Sequence, residues 1–444
     1  MATTAPTQDN SAAVAASSYS KKLGAPAPEA GKPTNLLIIG SSQSGVQLAV
    51  SLRALGWDGH ITMLGDEDHR PYQRPALSKE YLQGKVESDS LIFRSNEYWI
   101  EHNVTLVRGA YITDVQTKAD GAGVAISSDG EEFPFDRLAL AVGAAPRRLQ
   151  LPGTELDGVL YLRNADDAIA LRAAAPEATD VVVIGGGFIG LEAACSLHDM
   201  GKRVTLLEAG PRIIGRAVGE ETSAYFLDKH RERGISIELN AKIAGMVGAE
   251  GRVAGVELAD GTVIKAQIVL IGIGVIPNTQ LAEKMGLAVE NGIVVDGSAV
   301  ASDAHTLAIG DVANMPNPVP GSEPGSRIRL ESVNNAIEHA KVAAYAVTGR
   351  SEEYAGVPWF WSNQSDLKLQ IAGLSMGFDQ TVIRADHKRG KFAVLYYRAG
   401  QIIAADCVNA PLDFMAVKNA LAKRQNIPAD AAADVSVQLK TLAV

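Results

Sequence analysis

One pattern occurs twice in this sequence, 145 positions apart, and it constrains the fold more than any other feature. Each copy reads as an aliphatic strand, a glycine-rich turn, an amphipathic helix and a second aliphatic strand. The strand, turn, helix and strand segments are 36–39, 40–45, 46–56 and 60–64 in the first copy, and 181–184, 185–190, 191–201 and 203–208 in the second. Unbroken aliphatic runs are typical of strands buried on both faces of a parallel sheet. The sequence therefore predicts two α/β units of the doubly wound type.

The second copy carries the full glycine spacing of a dinucleotide-binding turn. Gly185, Gly187 and Gly190 leave backbone N–H groups free, and place no Cβ in the way of a phosphate at the helix start. Glu208 ends the next strand, where a carboxylate can accept hydrogen bonds from ribose hydroxyls. Because Glu208 would repel a 2′-phosphate, the pattern favours NADH over NADPH, and the nearby Arg212 and Arg216 weaken that preference. A tight turn without a ligand is the alternative.

The first copy departs from this spacing. Gly40 and Gly45 are present, but Ser42 stands at the central position, where backbone and pyrophosphate come closest. We expect Ser42→Gly to tighten binding of the nucleotide, since a hydroxymethyl group takes up space there. Asp66 and Glu67 are the candidate acids for the ribose of this copy. A degenerate turn that binds nothing is the alternative.

Composition and charge exclude several classes of protein. The formal net charge of −10 and the isoelectric point near 5.4 argue against a general nucleic-acid binder. No apolar run reaches the length of a membrane span, so we expect no membrane segment. The two cysteines, Cys195 and Cys407, are too few for a disulfide scaffold or a cysteine-cluster metal site, and the histidines show no ligand spacing. No metal site is predicted, and a cytoplasmic location is expected.

Five further motifs occur in a fixed order, and they point to one family. They are Arg74-Pro-Ala-Leu-Ser-Lys79, Gly187-Phe-Ile-Gly-Leu-Glu192, Ala308-Ile-Gly-Asp-Val-Ala313, Leu330-Glu-Ser-Val333 and Val357-Pro-Trp-Phe-Trp-Ser362. With both glycine turns, they make residues 34–435 similar to the NADH-dependent ferredoxin reductases of bacterial oxygenase systems. These are flavoproteins of the pyridine nucleotide-disulfide oxidoreductase superfamily.

The resemblance implies a fold and a set of domains. It implies two Rossmann-like dinucleotide-binding domains of the glutathione-reductase type, followed by an α+β domain. The expected division is a disordered tail (1–33), a discontinuous FAD-binding domain (34–148 and 273–352), an NAD-binding domain (149–272) and a C-terminal domain (353–444). The C-terminal part also shows strand-like segments and a helical one on its own, at 367–374, 392–397, 402–408 and 410–423.

The resemblance also implies the cofactors FAD and NADH, with FAD in the first turn and NADH in the second. The expected FAD contacts are Gly40, Ser42, Ser44, Gly45, Asp66, Glu67, Arg74, Lys79, Ile112, Arg147, Asp311, Val333 and Trp361. The expected NAD contacts are Gly185, Gly187, Phe188, Ile189, Gly190, Glu192, Glu208, Arg216 and Gly272. Asp311 follows a strand at 306–309 and precedes an expected helix, so a simple helix N-cap is its alternative role.

Three residues are expected at the reactive centre. Lys79 and Glu192 are expected to form an ion pair beside the flavin, where the lysine would stabilise the negative charge of the reduced ring. Trp361 is a candidate aromatic screen. The alternatives are a solvated surface lysine for Lys79, a charged side chain on a helix face for Glu192 and packing in an aromatic core for Trp361.

The absence of a redox-active pair of cysteines limits the class of electron acceptor. Disulfide reductases of this fold need a redox pair of cysteines, and no cysteine lies near the 74–79 motif. The absence of a thiol relay suits a one-electron iron–sulfur acceptor, and the resemblance implies a [2Fe–2S] ferredoxin that serves a cytochrome P450 or a Rieske oxygenase. Residues 327–424 carry a net charge of +4 and could attract an acidic ferredoxin, with Lys341, Lys388, Arg389 and Lys391 as candidates. The alternatives are an oxidase or quinone reductase without a ferredoxin, a degenerate flavoprotein, or an interaction protein resembling apoptosis-inducing factor.

Overall fold

The computed structural model describes residues 34–319 and 322–444, and the tail predicted for residues 1–33 lies outside them. The strands are β1 (Asn35–Ile39), β2 (His60–Leu64), β3 (Val104–Val107), β4 (Ile112–Thr117), β5 (Gly123–Ser127), β6 (Glu132–Phe135), β7 (Arg137–Leu140), β8 (Ala144–Pro146), β9 (Val159–Tyr161), β10 (Asp180–Ile184), β11 (Arg203–Glu208), β12 (Ser236–Leu239), β13 (Ile243–Ala249), β14 (Arg252–Leu258), β15 (Val263–Lys265), β16 (Ile268–Ile271), β17 (Val275–Pro277), β18 (Ile293–Val294), β19 (Leu307–Ala308), β20 (Ala313–Pro316), β21 (Arg327–Ile328), β22 (Trp359–Gln364), β23 (Leu367–Gly373), β24 (Gln380–Asp386), β25 (Lys391–Arg398) and β26 (Gln401–Val408). The α-helices are α1 (Gln43–Ala54), α2 (Asn96–Glu101), α3 (Ala165–Ala174), α4 (Phe188–Asp199), α5 (Glu220–Arg233), α6 (Gln280–Lys284), α7 (Val333–Val347), α8 (Pro411–Lys423) and α9 (Ala429–Ala432).

Two five-stranded parallel sheets have the two repeat units at their centres. The first has the order β19-β7-β1-β2-β3, and the second has the order β12-β11-β10-β16-β9. The aliphatic residues of β1 and β10 are almost completely buried, as expected for strands with helices on both faces. On the first sheet, α1 packs against α7, where Ala340, Ala343 and Ala344 allow the two helices to come close.

Both helices of the repeat begin three residues earlier than the sequence predicts. They start at Gln43 and Phe188, rather than at positions 46 and 191. Apolar periodicity shows only the first buried apolar side chains of a helix, whereas the first helical residues here, 43–45 and 188–190, belong to the glycine turns themselves. The helix N-termini, with their free N–H groups, therefore lie inside the turns.

The C-terminal part is an antiparallel sheet with helices, as the α+β prediction requires. Its strand order is β22-β23-β26-β25-β24. Side chains alternate between its faces, so that Val394 and Tyr396 pack towards the core around β10 and α4, whereas Leu395 and Tyr397 pack towards α8. The sheet thus joins its core to that of the second parallel sheet. The domain boundaries given above stay a prediction.

Two short strands run side by side where the chain crosses between the parallel sheets. β8 and β17 pair antiparallel, and the N–H of Arg147 donates to the carbonyl of Gly274 at 2.9 Å. Two three-stranded hairpin sheets, β4-β5-β6 and β13-β14-β15, are antiparallel throughout. Among the described residues, no helix combines the length and the hydrophobicity that crossing a bilayer demands.

Candidate active site

The two glycine turns have nearly the same backbone geometry. Gly40 has a φ of +112° and Gly185 a φ of +109°, which L side chains rarely adopt. A Cβ on Gly40 would lie 2.2 Å from the carbonyl oxygen of Ala141, and a Cβ on Gly185 would lie 2.3 Å from that of Gly272. These glycines are therefore required by the chain itself, because the turn approaches the neighbouring strand end so closely.

Gly187 is different, because no neighbour crowds its position. Apart from its adjacent residues in the chain, no atom of residues 34–319 or 322–444 lies within 4 Å of the position that its Cβ would occupy. This open space adjoins the start of α4, where Gly187 is the N-cap residue and no side chain caps the helix. A group of phosphate size and charge fits this place, since backbone N–H groups there have no partner within the helix.

Ser42 occupies the corresponding N-cap position of α1. Its side chain does not cap the helix but accepts a hydrogen bond from Nε of Arg74 at 3.1 Å. The same guanidinium donates to the carbonyl of Arg163 at 3.0 Å and pairs with Glu67. Arg74, expected from sequence as an FAD contact, therefore lies directly at the first turn.

The acids of the two turns are held in different ways. Glu208 accepts hydrogen bonds from the N–H groups of Gly186 and Gly210, both at 2.6 Å, which places its carboxylate against the second turn. In the first turn Glu67 is engaged by Arg74 and by the hydroxyl of Tyr72 at 2.7 Å, whereas Asp66 is exposed. Asp66 is thus the better placed of the two acids to meet a ribose.

Arg216 is exposed and extends past Gly274, at the end of the second sheet. Arg212 is held within the same loop, because its guanidinium donates to the carbonyls of Gly215 at 2.6 Å and Val218 at 2.7 Å. Phe188 and Ile189 are the first two residues of α4, and Ile189 is exposed. The ring of Phe188 packs against that of Phe360 in β22, with the ring centroids 4.5 Å apart.

The structure corrects the surroundings of Asp311. A single 3₁₀ turn, Gly310–Val312, follows β19, and the chain then continues into β20 rather than into the expected helix. The reason is that residues 313–316 pair with both β18 and β21, which holds them extended. Asp311 is therefore not a helix N-cap, and its carboxylate pairs with Arg163 at 3.1 Å.

The other expected FAD contacts lie on different elements of the chain. Ser44 is buried in the first turn of α1 and lies against Gly310, Val333 is the first residue of α7, and Ile112 is the buried first residue of β4. Arg147 is exposed just after β8. The structure brings Ser44 close to the 310–312 turn, and Ile112 belongs to the same buried core as Val312 of that turn.

Lys79 and Glu192 form the predicted ion pair. Nζ of Lys79 lies 2.6 Å from Oε2 of Glu192, and their side chains are 12% and 4% exposed. Lys79 follows the Arg74–Ala76 3₁₀ turn, whereas Glu192 lies in α4 two residues after Gly190. The pair therefore joins the part of the chain at the first glycine turn to the helix that starts at the second.

Two serines that the sequence did not single out complete the environment of Glu192. The hydroxyl of Ser78 donates to Oε2 at 2.6 Å, and that of Ser362 donates to Oε1 at 2.7 Å. Both serines are buried, and both lie in motifs that carried the family resemblance. The sequence offered one indication of their role, because Ser78 directly precedes Lys79 and Ser362 directly follows Trp361 in those motifs.

Trp361 does not join this group. Within β22 it points to the opposite face from Phe360 and Ser362, and its ring lies against that of Trp359, with centroids 5.5 Å apart and the planes tilted by 31°. It is half-buried and lines a cleft of about 690 Å³ together with Trp359, Asn363 and Lys368. Its role as an aromatic screen stays a prediction.

Both cysteines are buried and unpaired. Burial raises the pKa of the Cys195 thiol to about 12 and raises that of Cys407 well above its ordinary value. A thiol with such a pKa is protonated at neutral pH and is a poor nucleophile. These side chains therefore act as small apolar groups.

Comparison with known proteins identifies the family. The pattern of the pyridine nucleotide-disulphide oxidoreductases matches residues 34–344, and that of the reductase C-terminal domain matches residues 359–443. The chain belongs to the pyridine nucleotide-disulphide oxidoreductase family. Proteins of this family use FAD and NAD(P)H.

Individual relatives agree with this assignment. Rhodocoxin reductase of Rhodococcus erythropolis is 41% identical over 91% of this chain and 93% of its own length. The solved ferredoxin reductase of the CYP199A2 system from Rhodopseudomonas palustris is 38% identical, covers 93% of this chain and all of its own, and gives a TM-score of 0.87. A covalent putidaredoxin reductase–putidaredoxin complex, 34% identical over 93% of this chain and 98% of its own, also gives 0.87. The predicted resemblance and fold class are confirmed.

Proposed function

We propose that this oxidoreductase is an FAD-dependent ferredoxin reductase, which takes hydride from NADH and passes single electrons to a [2Fe–2S] ferredoxin of a P450 or Rieske oxygenase system. The observation that carries the proposal is the buried Lys79–Glu192 pair, which links the two nucleotide turns in a chain whose only cysteines are buried and protonated. The names of the relatives support the acceptor, since one solved structure holds a reductase joined to its redoxin.

The residues at the two turns would hold the cofactors. The first turn would bind FAD through Gly40, Ser42, Ser44, Gly45, Asp66, Glu67, Arg74, Lys79, Ile112, Arg147, Asp311, Val333 and Trp361. The second would bind NADH through Gly185, Gly187, Phe188, Ile189, Gly190, Glu192, Glu208, Arg216 and Gly272. The open space at Gly187 and the carboxylate of Glu208 at the same turn fit a nucleotide without a 2′-phosphate.

The reaction needs little from protein acids or bases. Bound FAD supplies the redox chemistry, because it accepts a hydride and gives up electrons one at a time. Lys79 provides a positive charge that stabilises the negative charge of a reduced ring, in a site where water is largely excluded. Glu192 holds Lys79 in place and offers an acceptor to the carboxamide of the nicotinamide.

We place the ferredoxin at the basic C-terminal part. Lys388, Arg389 and Lys391 lie at the turn between β24 and β25, and the first two are exposed. This turn is at the same end of the sheet as Ser362, three strand spacings away, which corresponds to roughly 14 Å. An acidic ferredoxin attracted there would come close to the Lys79–Glu192 pair.

Reduction of cytochrome c by NADH, with and without an acidic [2Fe–2S] ferredoxin, tests the function. We expect the rate to depend on the ferredoxin and to fall as salt is added, because charge steers the encounter. Lys388→Glu should lower that rate, whereas Lys118→Glu, an exposed lysine on the first hairpin sheet, should not. Equal rates with and without ferredoxin would favour a quinone or dye reductase, and a colourless purified protein would favour a degenerate flavoprotein.

A further inference from the structure

A continuous chain of buried hydrogen bonds leads from Glu192 into the C-terminal sheet and on to α5. Ser362, Gln364 and His230 are each 0% exposed. Oε1 of Glu192 accepts from Oγ of Ser362 at 2.7 Å, this Oγ accepts from Nε2 of Gln364 at 3.2 Å, and Oε1 of Gln364 lies 2.7 Å from Nε2 of His230. Nothing in the proposed reaction uses Gln364 or His230.

The outer end of the chain fixes the tautomer of His230. Nη1 of Arg233 lies 3.4 Å from Nδ1 of His230, and an arginine can only donate, so Nδ1 must be the acceptor. Nε2 therefore carries the proton and donates to Gln364. Burial, together with the nearby charge of Arg233, lowers the pKa of His230 to about 4, which keeps the imidazole neutral at neutral pH.

Each donor in this chain consequently points towards Glu192. The carbonyl oxygen of Gln364 is turned to His230, and this leaves its NH2 group to donate to Ser362. The hydroxyl of Ser362, accepting from Gln364, then has its own proton directed at the carboxylate. A reversed Gln364 amide would set two donors against each other at His230 and leave Ser362 without its donor, at a cost of about 1–3 kcal/mol for each unsatisfied buried group.

We propose that His230, Gln364 and Ser362 form a positioning chain that fixes the orientation of Glu192, and through it the place of Lys79 beside the flavin. This inference deepens the proposed function and rests on it, since Glu192 matters here only as part of the redox site. The chain gives β22 a part in hydride transfer, although the C-terminal sheet lies outside both nucleotide turns.

The charged and titratable groups around the chain are few. Lys79 faces Glu192 from the other side, and the protonated thiol of Cys195 lies 3.6 Å from Nδ1 of His230. Arg233 pairs with Asp366, whose side chain is 75% exposed, so the chain ends at the surface. Between Glu192 and His230 the links are neutral, and they can transmit orientation without adding a competing charge.

Gln364→Met is the decisive variant, because it keeps nearly the same volume, breaks both bonds of the middle link and touches no cofactor-binding residue. Ser362→Ala removes the hydroxyl group that donates to Oε1 of Glu192. His230→Gln keeps an N–H at the place of Nε2 and is the conservative variant. Ser127→Ala is the matched control, since Ser127 is also a buried serine that donates to a carboxylate, in the first hairpin sheet.

Two readouts are taken on the FAD-loaded protein. The first is the infrared difference spectrum between oxidised and electrochemically reduced protein, in which the carboxylate band of Glu192 is identified by its loss in Glu192→Gln. The second is the rate at which NADH bleaches the flavin. We expect Gln364→Met to shift the band and to slow bleaching about ten-fold, within the ~100-fold that a misplacement of 1 Å can cost.

The pattern across variants separates positioning from general structural damage. We expect His230→Gln and Ser127→Ala to keep the wild-type band, and Ser362→Ala to shift it. An unchanged band and bleaching rate in folded Gln364→Met would overturn the proposal, and this variant decides if Ser362→Ala does not fold. Neither readout contains ferredoxin, so if the variants show these shifts while the wild-type protein reduces no ferredoxin, only the proposed acceptor is refuted.

Discussion

Lys79 and Glu192 lie 113 positions apart in the chain, yet Nζ of the lysine is 2.6 Å from Oε2 of the carboxylate. The contact forms because the segment after the Arg74–Ala76 turn lies against α4, where Oγ of Ser196 donates to the carbonyl of Ser78 at 2.7 Å. Three hydrogen-bond donors converge on Glu192, from Ser78, Lys79 and Ser362. A buried carboxylate needs such partners, since desolvation of an unpaired charge is costly.

Removal of the cation should destabilise the fold as well as the reaction. We expect Lys79→Met to lower the free energy of unfolding by about 3–5 kcal/mol, because it leaves Glu192 charged and buried without its partner. Urea denaturation of the FAD-loaded protein measures this. The double variant Lys79→Met/Glu192→Gln should recover most of the loss, and a loss as large as in Lys79→Met would contradict the assignment of the pair.

Specificity for the nicotinamide nucleotide should depend on Glu208. Glu208→Arg removes the carboxylate that the turn holds through Gly186 and Gly210, and it supplies a cation for a 2′-phosphate. We expect the ratio of kcat/KM for NADH to that for NADPH to fall at least ten-fold. If the ratio stays the same, Glu208 does not contact the ribose.

The first turn allows two effects of Ser42 to be separated. Ser42→Gly should tighten FAD binding, as expected from sequence, because the side chain occupies space near the pyrophosphate. The structure adds an opposing effect, since Oγ of Ser42 accepts from Arg74 at 3.1 Å. Ser42→Ala should therefore bind FAD more weakly than the wild type. Dialysis titration measures both variants, and a glycine variant weaker than the alanine variant would exclude a steric role.

The sequence was most informative where backbone geometry is set locally. Gly40, Gly45, Gly185 and Gly190 occur where no other residue fits, so the turns and the strands and helices around them could be predicted. Helix starts were misplaced by three residues because the first helical residues belong to the glycine turns, which the sequence pattern assigns to a turn rather than to a helix. Asp311 was placed before a helix because short strands such as β20 are determined by their partners, which sequence does not show.

The candidate site could be predicted only in part, for the same reason. The motifs led to Lys79 and Glu192, but Gln364 and His230 are 134 positions apart and meet only in the folded chain. Neither residue belongs to a local pattern with recognisable chemistry. Trp361 was expected beside Lys79 and Glu192 but lies on the other face of β22. Side chains alternate along this strand, and the sequence alone does not say which face meets α4.

A thiol-free mechanism predicts that both cysteines are dispensable. Cys195→Ala combined with Cys407→Ala should keep the rate of ferredoxin reduction within about two-fold, because neither thiol is ionised near neutral pH. The wild-type protein should also resist iodoacetamide unless it is unfolded. Loss of ferredoxin reduction in a variant that still binds FAD would point to a thiol relay.

Asp406 should make stability depend on pH. Burial raises the pKa of this carboxyl from 3.8 to about 6, although Tyr396 donates a hydrogen bond to it. The folded protein therefore holds a proton that the unfolded chain loses between these values, and stability falls as pH rises through that window. Asp406→Asn should be more stable than the wild type by up to about 3 kcal/mol at pH 7, and by little at pH 4. Denaturant unfolding at both values checks this, and an equal gain at both would refute it.

The most direct test of the central claim is an anaerobic titration of the FAD-loaded protein with NADH in the presence of excess oxidised [2Fe–2S] ferredoxin. We expect NADH to bleach the flavin band. Each NADH should reduce two ferredoxin molecules, since a hydride carries two electrons and each ferredoxin accepts one. Bleaching of the flavin by NADH while the ferredoxin stays oxidised would contradict the claim.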